Sequence, residues 1–194
     1  MLCGLCESCW KAVAEKHFLR EGNIARDKSQ VVADSAVVWG DFSGALRHAI
    51  HALKFEGRPR LGRELGRRMA EGKKHQLAHL DALVPMPLHA ARLRERGYNQ
   101  SVEIALGLAD VLEVPVLEGW VERKKNTQQQ ASLRAEERLL NVRDAFVWKR
   151  HMDPGQQLGL VDDVVTTGAT MRACIEAYAN EGRLRLLPVL LAKV

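Results

Sequence analysis

The residues best suited to chemistry lie together in the segment Leu158–Thr170, LGLVDDVVTTGAT. An apolar run delivers two adjacent carboxylates, Asp162 and Asp163, and a loop of small hydroxyl residues follows. In an open α/β sheet, ligands bind beyond the carboxyl ends of strands, so acids at such an end are placed to accept hydrogen bonds. The loop then opens a helix, whose first N–H groups and partial positive charge suit a phosphate. Thr166, Thr167 and Thr170 add hydroxyl donors, and Gly168 lets the backbone close on an anion. Two carboxylates would repel a bare phosphate. They make sense if they accept from sugar hydroxyls or hold Mg²⁺ through water. Ribose 5-phosphate supplies both a diol and a phosphate, so the segment reads as a ribose-phosphate site. The competing reading is an ordinary strand–turn–helix with acids at a solvated strand end.

The elements that must position this segment follow from pattern. Leu158–Val161 reads as a buried strand, and Ala169–Glu181 as a helix stopped by Gly182. Ser35–Gly40 is a β-branched run and reads as a strand. Phe42–Lys54 and Leu61–Met69 carry apolar groups at helical spacing. Ala82–Val84 is a short strand that ends at Pro85, and a basic loop with Arg92, Arg94 and Arg96 follows. Ser101–Leu112 reads as a helix and Pro115–Leu117 as the start of a strand. Glu122–Gln130 is polar, either a mobile loop or a β-excursion. Leu133–Leu140 reads as a helix capped by Ser132, and Ala145–Trp148 as a strand. Leu184–Leu191, broken by Pro188, reads as a last strand at the sheet edge. Strands alternate with helices from residue 35 on, which predicts an α/β fold with a mainly parallel sheet and helices on both faces. The expected division is a Cys-containing appendage over residues 1–33 and a main domain over 34–194.

Composition narrows the class. The chain has 194 residues, 46% of them hydrophobic and 5% aromatic, enough for a core built from Leu, Val, Ala and Ile and too apolar for a disordered chain. Its net charge of +5 favours anionic partners without choosing among phosphates, nucleic acid and membrane surfaces. No apolar run is long enough to span a bilayer, and the N-terminus lacks the regions of a signal peptide. A cytoplasmic protein with reduced cysteines is expected.

Cys3, Cys6 and Cys9 are spaced three apart. Zinc prefers four ligands, commonly two separated Cys-x-x-Cys pairs. The cluster therefore reads as a Zn²⁺ site, with His17 as a candidate fourth ligand, as a metal-free remnant, or as an iron–sulfur ligand set. Cys174 falls on the helix after the threonine loop and reads as core. The pairs His48/His51 and His75/His79 have no accompanying carboxylate or cysteine motif and read as surface or packing residues. The four tryptophans are scattered and form no stacking platform for bases.

The segment from Leu158 to Thr170 resembles the PRPP-binding (5-phosphoribosyl-1-pyrophosphate) motif of type I phosphoribosyltransferases. Three further runs, IHALKFEG from Ile50, VPMPLHAARLRERGYNQ from Val84 and TQQQASLRAEERLLN from Thr127 with Ala145 and Phe146, resemble the ComF/GntX family, associated with competence and DNA uptake. The resemblance spans about residues 35–194. It implies that Asp162 and Asp163 bind the ribose hydroxyls, and that Thr166, Thr167, Gly168, Ala169 and Thr170 wrap the 5′-phosphate. Val164 and Val165 complete the PRPP segment, and Mg²⁺ accompanies the pyrophosphate. It further implies that Arg92 and Arg96 lie on a pyrophosphate loop. Arg123, Gln130, Arg138 and Asn141 would belong to a hood over the substrate. Thr166 stands where 6-oxopurine salvage enzymes carry an aspartate base, which argues against purine salvage, and no other residue announces itself as a catalytic base. The expected activity is phosphoribosyl transfer to an unknown acceptor. The alternative is a non-catalytic PRPP- or nucleotide-sensing factor that engages single-stranded DNA or competence proteins. Oligomeric state is not legible.

Overall fold

The structure is a computed structural model and describes residues 36–124, 145–150, 153, 155–179 and 185–194. In chain order the elements are β1 (Val37–Asp41), α1 (Gly44–Phe55), α2 (Pro59–Gly72), α3 (Lys74–Leu77), β2 (Ala82–Pro85), α4 (Ala90–Arg96), α5 (Gln100–Leu112), β3 (Val121–Arg123), β4 (Phe146–Trp148), β5 (Gln157–Val165), α6 (Ala169–Ala179) and β6 (Arg185–Lys193). Four strands form one sheet in the order β1-β6-β5-β2, all neighbours parallel. β3 and β4 make a separate antiparallel ribbon.

Each sheet face buries a different partner, because side chains alternate along a strand. On one face Val37, Trp39, Leu83, Val161 and Val189 meet the apolar stripes of α1, α2 and α5. On the other, Val38, Val84, Leu158, Leu160 and Leu190 meet α6 and the β3–β4 ribbon. The result is the α/β architecture expected from the sequence, a parallel sheet covered on both sides, of the type I phosphoribosyltransferase kind. Trp148 fastens the ribbon to α6: its Nε1 donates to the carbonyl of Cys174 at 2.9 Å, and its ring lies 4.0 Å from that of Tyr178. Cys174 is fully buried, as its core reading required.

α2 carries Leu61, Leu65 and Met69 on one buried stripe, with Pro59 at the first helical position, where its missing N–H has no intrahelical role. The same stripe holds Gly62 and Gly66, and α5 answers with Gly107. A Cβ at Gly66 would stand 2.1 Å from the carbonyl oxygen of Ile104, and one at Gly107 would stand 1.9 Å from that of Arg63. The two helices therefore touch backbone to backbone.

Several expectations are corrected. β6 is an interior strand, not an edge, although Pro188 sits within it opposite Leu160. The ladder between β6 and β1 runs from Val189 to Lys193, beyond the proline, so the absent N–H falls outside it. β5 continues past Val161 to Val165 because β6 stays alongside it to Lys193. The basic loop after β2 contains α4, which starts where His89 accepts from the Ala91 N–H at 3.2 Å and stops at Gly97 in the left-handed region, φ 80°. Residues 115–117 make a single parallel bridge, Leu83 with Val116, rather than a strand. The appendage over 1–33, the Leu133–Leu140 helix and the Gly182 stop lie outside the described residues. Among the described residues no helix is long and apolar enough to cross a membrane.

Candidate functional site

Asp162 and Asp163 sit within β5, just past its last rung with β2, Pro85 opposite Val161. On that side the sheet has ended, while β6 still pairs with β5 on the other. The acids therefore line a notch where β2 departs and α5 begins.

Tyr98 and Asn99 build the rim of the notch. Asn99 caps α5 by accepting from the Ser101 N–H at 3.0 Å, and its Nδ2 donates to the Met86 carbonyl at 2.9 Å, joining the exit of β2 to the start of α5. The Tyr98 hydroxyl donates to the carbonyl of Leu53 near the end of α1. Ser101, fully buried, donates its hydroxyl to Asp162 Oδ1 at 3.0 Å. The same oxygen accepts from the Asp163 N–H at 2.9 Å.

Asp163 is 3% exposed, and its two oxygens are both engaged. Oδ1 accepts from the Val164 N–H at 2.7 Å, and Oδ2 lies 2.8 Å from Lys54 Nζ. The Lys54 contact is an ion pair whose geometry falls short of an aligned hydrogen bond. Burial, then the charge of Asp163, pushes the Asp162 carboxyl up to about 6, while Lys54, the Asp163 N–H and the Ser101 hydroxyl pull it back. Arg123, at the end of β3, lies within electrostatic reach of Asp162 and packs over Phe146 at 5.7 Å. Burial lowers its affinity for its proton, and Asp162 opposes that shift.

The threonine loop follows β5 as expected. Thr166 and Thr167 are exposed, and Gly168 takes φ 75°, a left-handed turn that favours glycine. Thr167 Oγ1 receives a long contact from the Ala169 N–H at 3.4 Å, and the Arg172 N–H to Gly168 carbonyl bond at 2.8 Å starts α6. The first-turn amides of α6 have no carbonyl within the helix to bond. Acceptors on β5 and donors at the α6 N-terminus thus stand on either side of one short loop, the arrangement that a diol linked to a phosphate requires.

Arg92 and Arg96, expected on a pyrophosphate loop, lie on α4. Arg92 pairs with Glu95 at 2.8 Å on the exposed side. Arg96 donates to Gln100 and packs over the ring of Phe55, the residue that follows Lys54, at 5.8 Å. Gln130, Arg138 and Asn141 of the expected hood, and Cys3, Cys6, Cys9 and His17, lie outside the described residues. β3 and β4, which flank residues 125–144, do pair. Among the described residues no three His, Cys, Asp or Glu side chains come together as a metal site.

Lys54, Ser101, Tyr98 and Asn99 were not singled out as site residues from the sequence. Lys54 had a legible signal. It follows Ile50 by four positions, so a lysine occupies the helix stripe that otherwise carries apolar groups.

No family model matches the chain. It is 31% identical over 187 residues to competence protein F of Haemophilus influenzae, covering 87% of this chain and 81% of that protein. It is 30% identical over 151 residues to DNA utilization protein YhgH of Escherichia coli K12, covering 75% and 66%, and 34% identical over 101 residues to competence protein ComFC of Bacillus subtilis, covering 52% and 39%. With 31% identity along 81% of the Haemophilus protein, the chain belongs to the ComF family.

Proposed function

We propose that this protein binds PRPP at the notch and transfers its 5-phosphoribosyl group to an acceptor, releasing pyrophosphate, in the cytoplasm. The observation that carries this reading is the acid pair on β5 joined by one glycine-bearing loop to the N-terminus of an eleven-residue helix. Asp162, held by Ser101, accepts from the ribose. Thr166–Thr170 and the first amides of α6 take the 5′-phosphate, fixing C1′ for attack. The bond from C1′ to the pyrophosphate oxygen breaks, and a bond from C1′ to the acceptor forms on the opposite face. A resident Mg²⁺ does not fit the acid pair, because the Lys54 ammonium already occupies an oxygen of Asp163. Mg²⁺ belongs to this reading as the counter-ion that pyrophosphate brings with it. Calorimetric titration of Mg²⁺·PRPP is expected to saturate with the wild type, and Asp162→Ala/Asp163→Ala to weaken binding about a hundredfold, the scale of losing two charge-assisted bonds. A folded wild type that takes up no PRPP sinks the reading.

A second reading is favoured by one surface and by the relatives' names. Phe55 is 64% exposed and lies between His51 at 4.8 Å and Arg96 at 5.8 Å, with Arg92 and Arg94 exposed on the same short helix as Arg96. An aromatic ring among guanidinium groups suits single-stranded DNA, and handling transforming DNA with other competence proteins would be its setting. Binding of a labelled oligonucleotide should weaken steeply with salt and fall about tenfold in Phe55→Ser/Arg96→Ala. No binding at low salt rules this surface out.

A further inference from the structure

Two carboxylates on consecutive residues oppose each other's ionisation, and burial opposes that of both. A ribose diol nevertheless needs carboxylate acceptors. Hydrogen bonds help each acid separately: the Ser101 hydroxyl and the Asp163 N–H reach Asp162 Oδ1, and the Val164 N–H reaches Asp163 Oδ1. None of these donors carries a charge. Lys54 does. Its Nζ lies 2.8 Å from Asp163 Oδ2, a buried oxygen that accepts no hydrogen bond among the described residues, and its charge also acts on Asp162. The other groups facing the pair come from three elements. α5 presents Ser101, which does not titrate here. α6 presents the Cys174 thiol, which burial and then Asp162 push upward, so it stays neutral. β3 presents Arg123, whose charge Asp162 supports against burial. β2 is apolar throughout, and β6 sets Leu190 and Ala192 beside the acids.

We propose that Lys54 is the shared counter-charge of the acid pair: it keeps Asp162 and Asp163 ionised together inside the notch, and so acts as a positioning residue for a ribose that both carboxylates receive. The binding role rests on the ribose-phosphate reading of the site. The geometry suits it in two ways. The Lys54 side chain is 24% exposed against 5% for that of Asp163, so the ammonium keeps part of its hydration while it neutralises a buried charge. An ionised carboxylate oxygen can accept more than one hydrogen bond, so the contacts made within the protein leave both acids acceptor sites for hydroxyls. Lys54 thus acts through the acids and need not touch the ligand.

The test reads the acids directly. Carbon-13 carboxyl resonances of the two aspartates, assigned with Asp162→Asn and Asp163→Asn, are followed against pH in the full chain without ligand. Lys54→Met should raise the higher midpoint of the pair by about one pH unit or more, and Lys54→Arg should leave it near the wild-type value. Titrations with Mg²⁺·PRPP should carry the same signature. Lys54→Met should bind about fivefold more weakly than the wild type at about pH 7, and within about twofold of it at about pH 9, where both acids are ionised again. An unmoved midpoint overturns the proposal. So does a loss of affinity that persists in full at about pH 9, the mark of a lysine that touches the ligand or only holds the fold. Should Lys54→Met not fold, Asp163→Asn is compared with Lys54→Met/Asp163→Asn, which leaves no unpaired ammonium. Removing Lys54 should still raise the Asp162 midpoint, and equal midpoints overturn the proposal. A folded wild type that binds no PRPP, with midpoints that move as expected, marks the failure of the ribose-phosphate reading and leaves the counter-charge in place.

Discussion

Gly107→Ala is expected to lower folding stability by about 3 kcal/mol, the upper end of overpacking effects. A Cβ there would lie 1.9 Å from the carbonyl oxygen of Arg63 and 2.9 Å from the backbone N of Arg67. Both are main-chain atoms of α2, so no rotamer change relieves the clash and the helices must separate. Gly66→Ala meets the Ile104 carbonyl oxygen at 2.1 Å and should behave alike. Gly62→Ala should be milder because its nearest contact, the Glu103 Cβ, stands farther off at 2.8 Å, although that atom too is fixed by the α5 backbone. The Asp110 fork to Arg63, at 2.8 and 2.7 Å, joins the same helices but is exposed and adds little. Urea unfolding reads the effect as a lower midpoint at unchanged slope. A loss below about 1 kcal/mol would show that α5 can move away freely. Because α5 carries Ser101, ligand binding should weaken with stability in these variants.

Ligand affinity is expected to fall as the pH drops below about 6, where the Asp162 carboxyl takes up its proton. Burial and Asp163 raise this group above its ordinary value, so the folded state holds that proton more tightly than the unfolded chain does. Its ionised form works against the fold above about pH 6, and that penalty is relieved as the pH falls through this value toward the ordinary carboxylate range near 4. Mild acid thus stabilises the empty protein through this one group. Binding moves the opposite way, because a protonated Asp162 loses the acceptor a ribose hydroxyl needs. Affinity at about pH 5 should be roughly tenfold below that at about pH 7. The ligand's own phosphate also ionises near pH 6, so Asp162→Asn is the control: its weaker binding should show a shallower pH profile. Identical profiles for the two proteins would remove Asp162 from the titration.

The strand, the acid pair and the threonine loop were legible because their signal is local. An apolar run that turns into acids and then small hydroxyl residues needs no tertiary knowledge. Ser101 carried no local sign of a site, and Lys54 only that of a charge on an otherwise apolar helix stripe, since each reaches the acids from another element; Ser101 stands 61 positions from Asp162 in sequence. Neither sequence neighbourhood declares that meeting. Pro188 misled for a related reason. A proline argues for an edge when pairing is judged along its whole strand, yet what counts is where each neighbouring ladder begins. α4 was hidden because Arg92, Arg94 and Arg96 read as solvated charge, whereas the His89 cap and the Gly97 stop define a short helix around them.

Tyr98 and Asn99 carry a consequence for how the site meets a ligand. Through adjacent residues they grip the end of α1, the exit of β2 and the start of α5. One stretch of backbone cannot release one of these anchors and hold the others for long, so Lys54, Met86 and Ser101 share a common fate in any local opening. The ordering of this side of the notch is therefore completed when the chain folds. An arriving ligand meets a preorganised half-site, and the conformational entropy it must still remove lies in its own bonds and in the threonine loop.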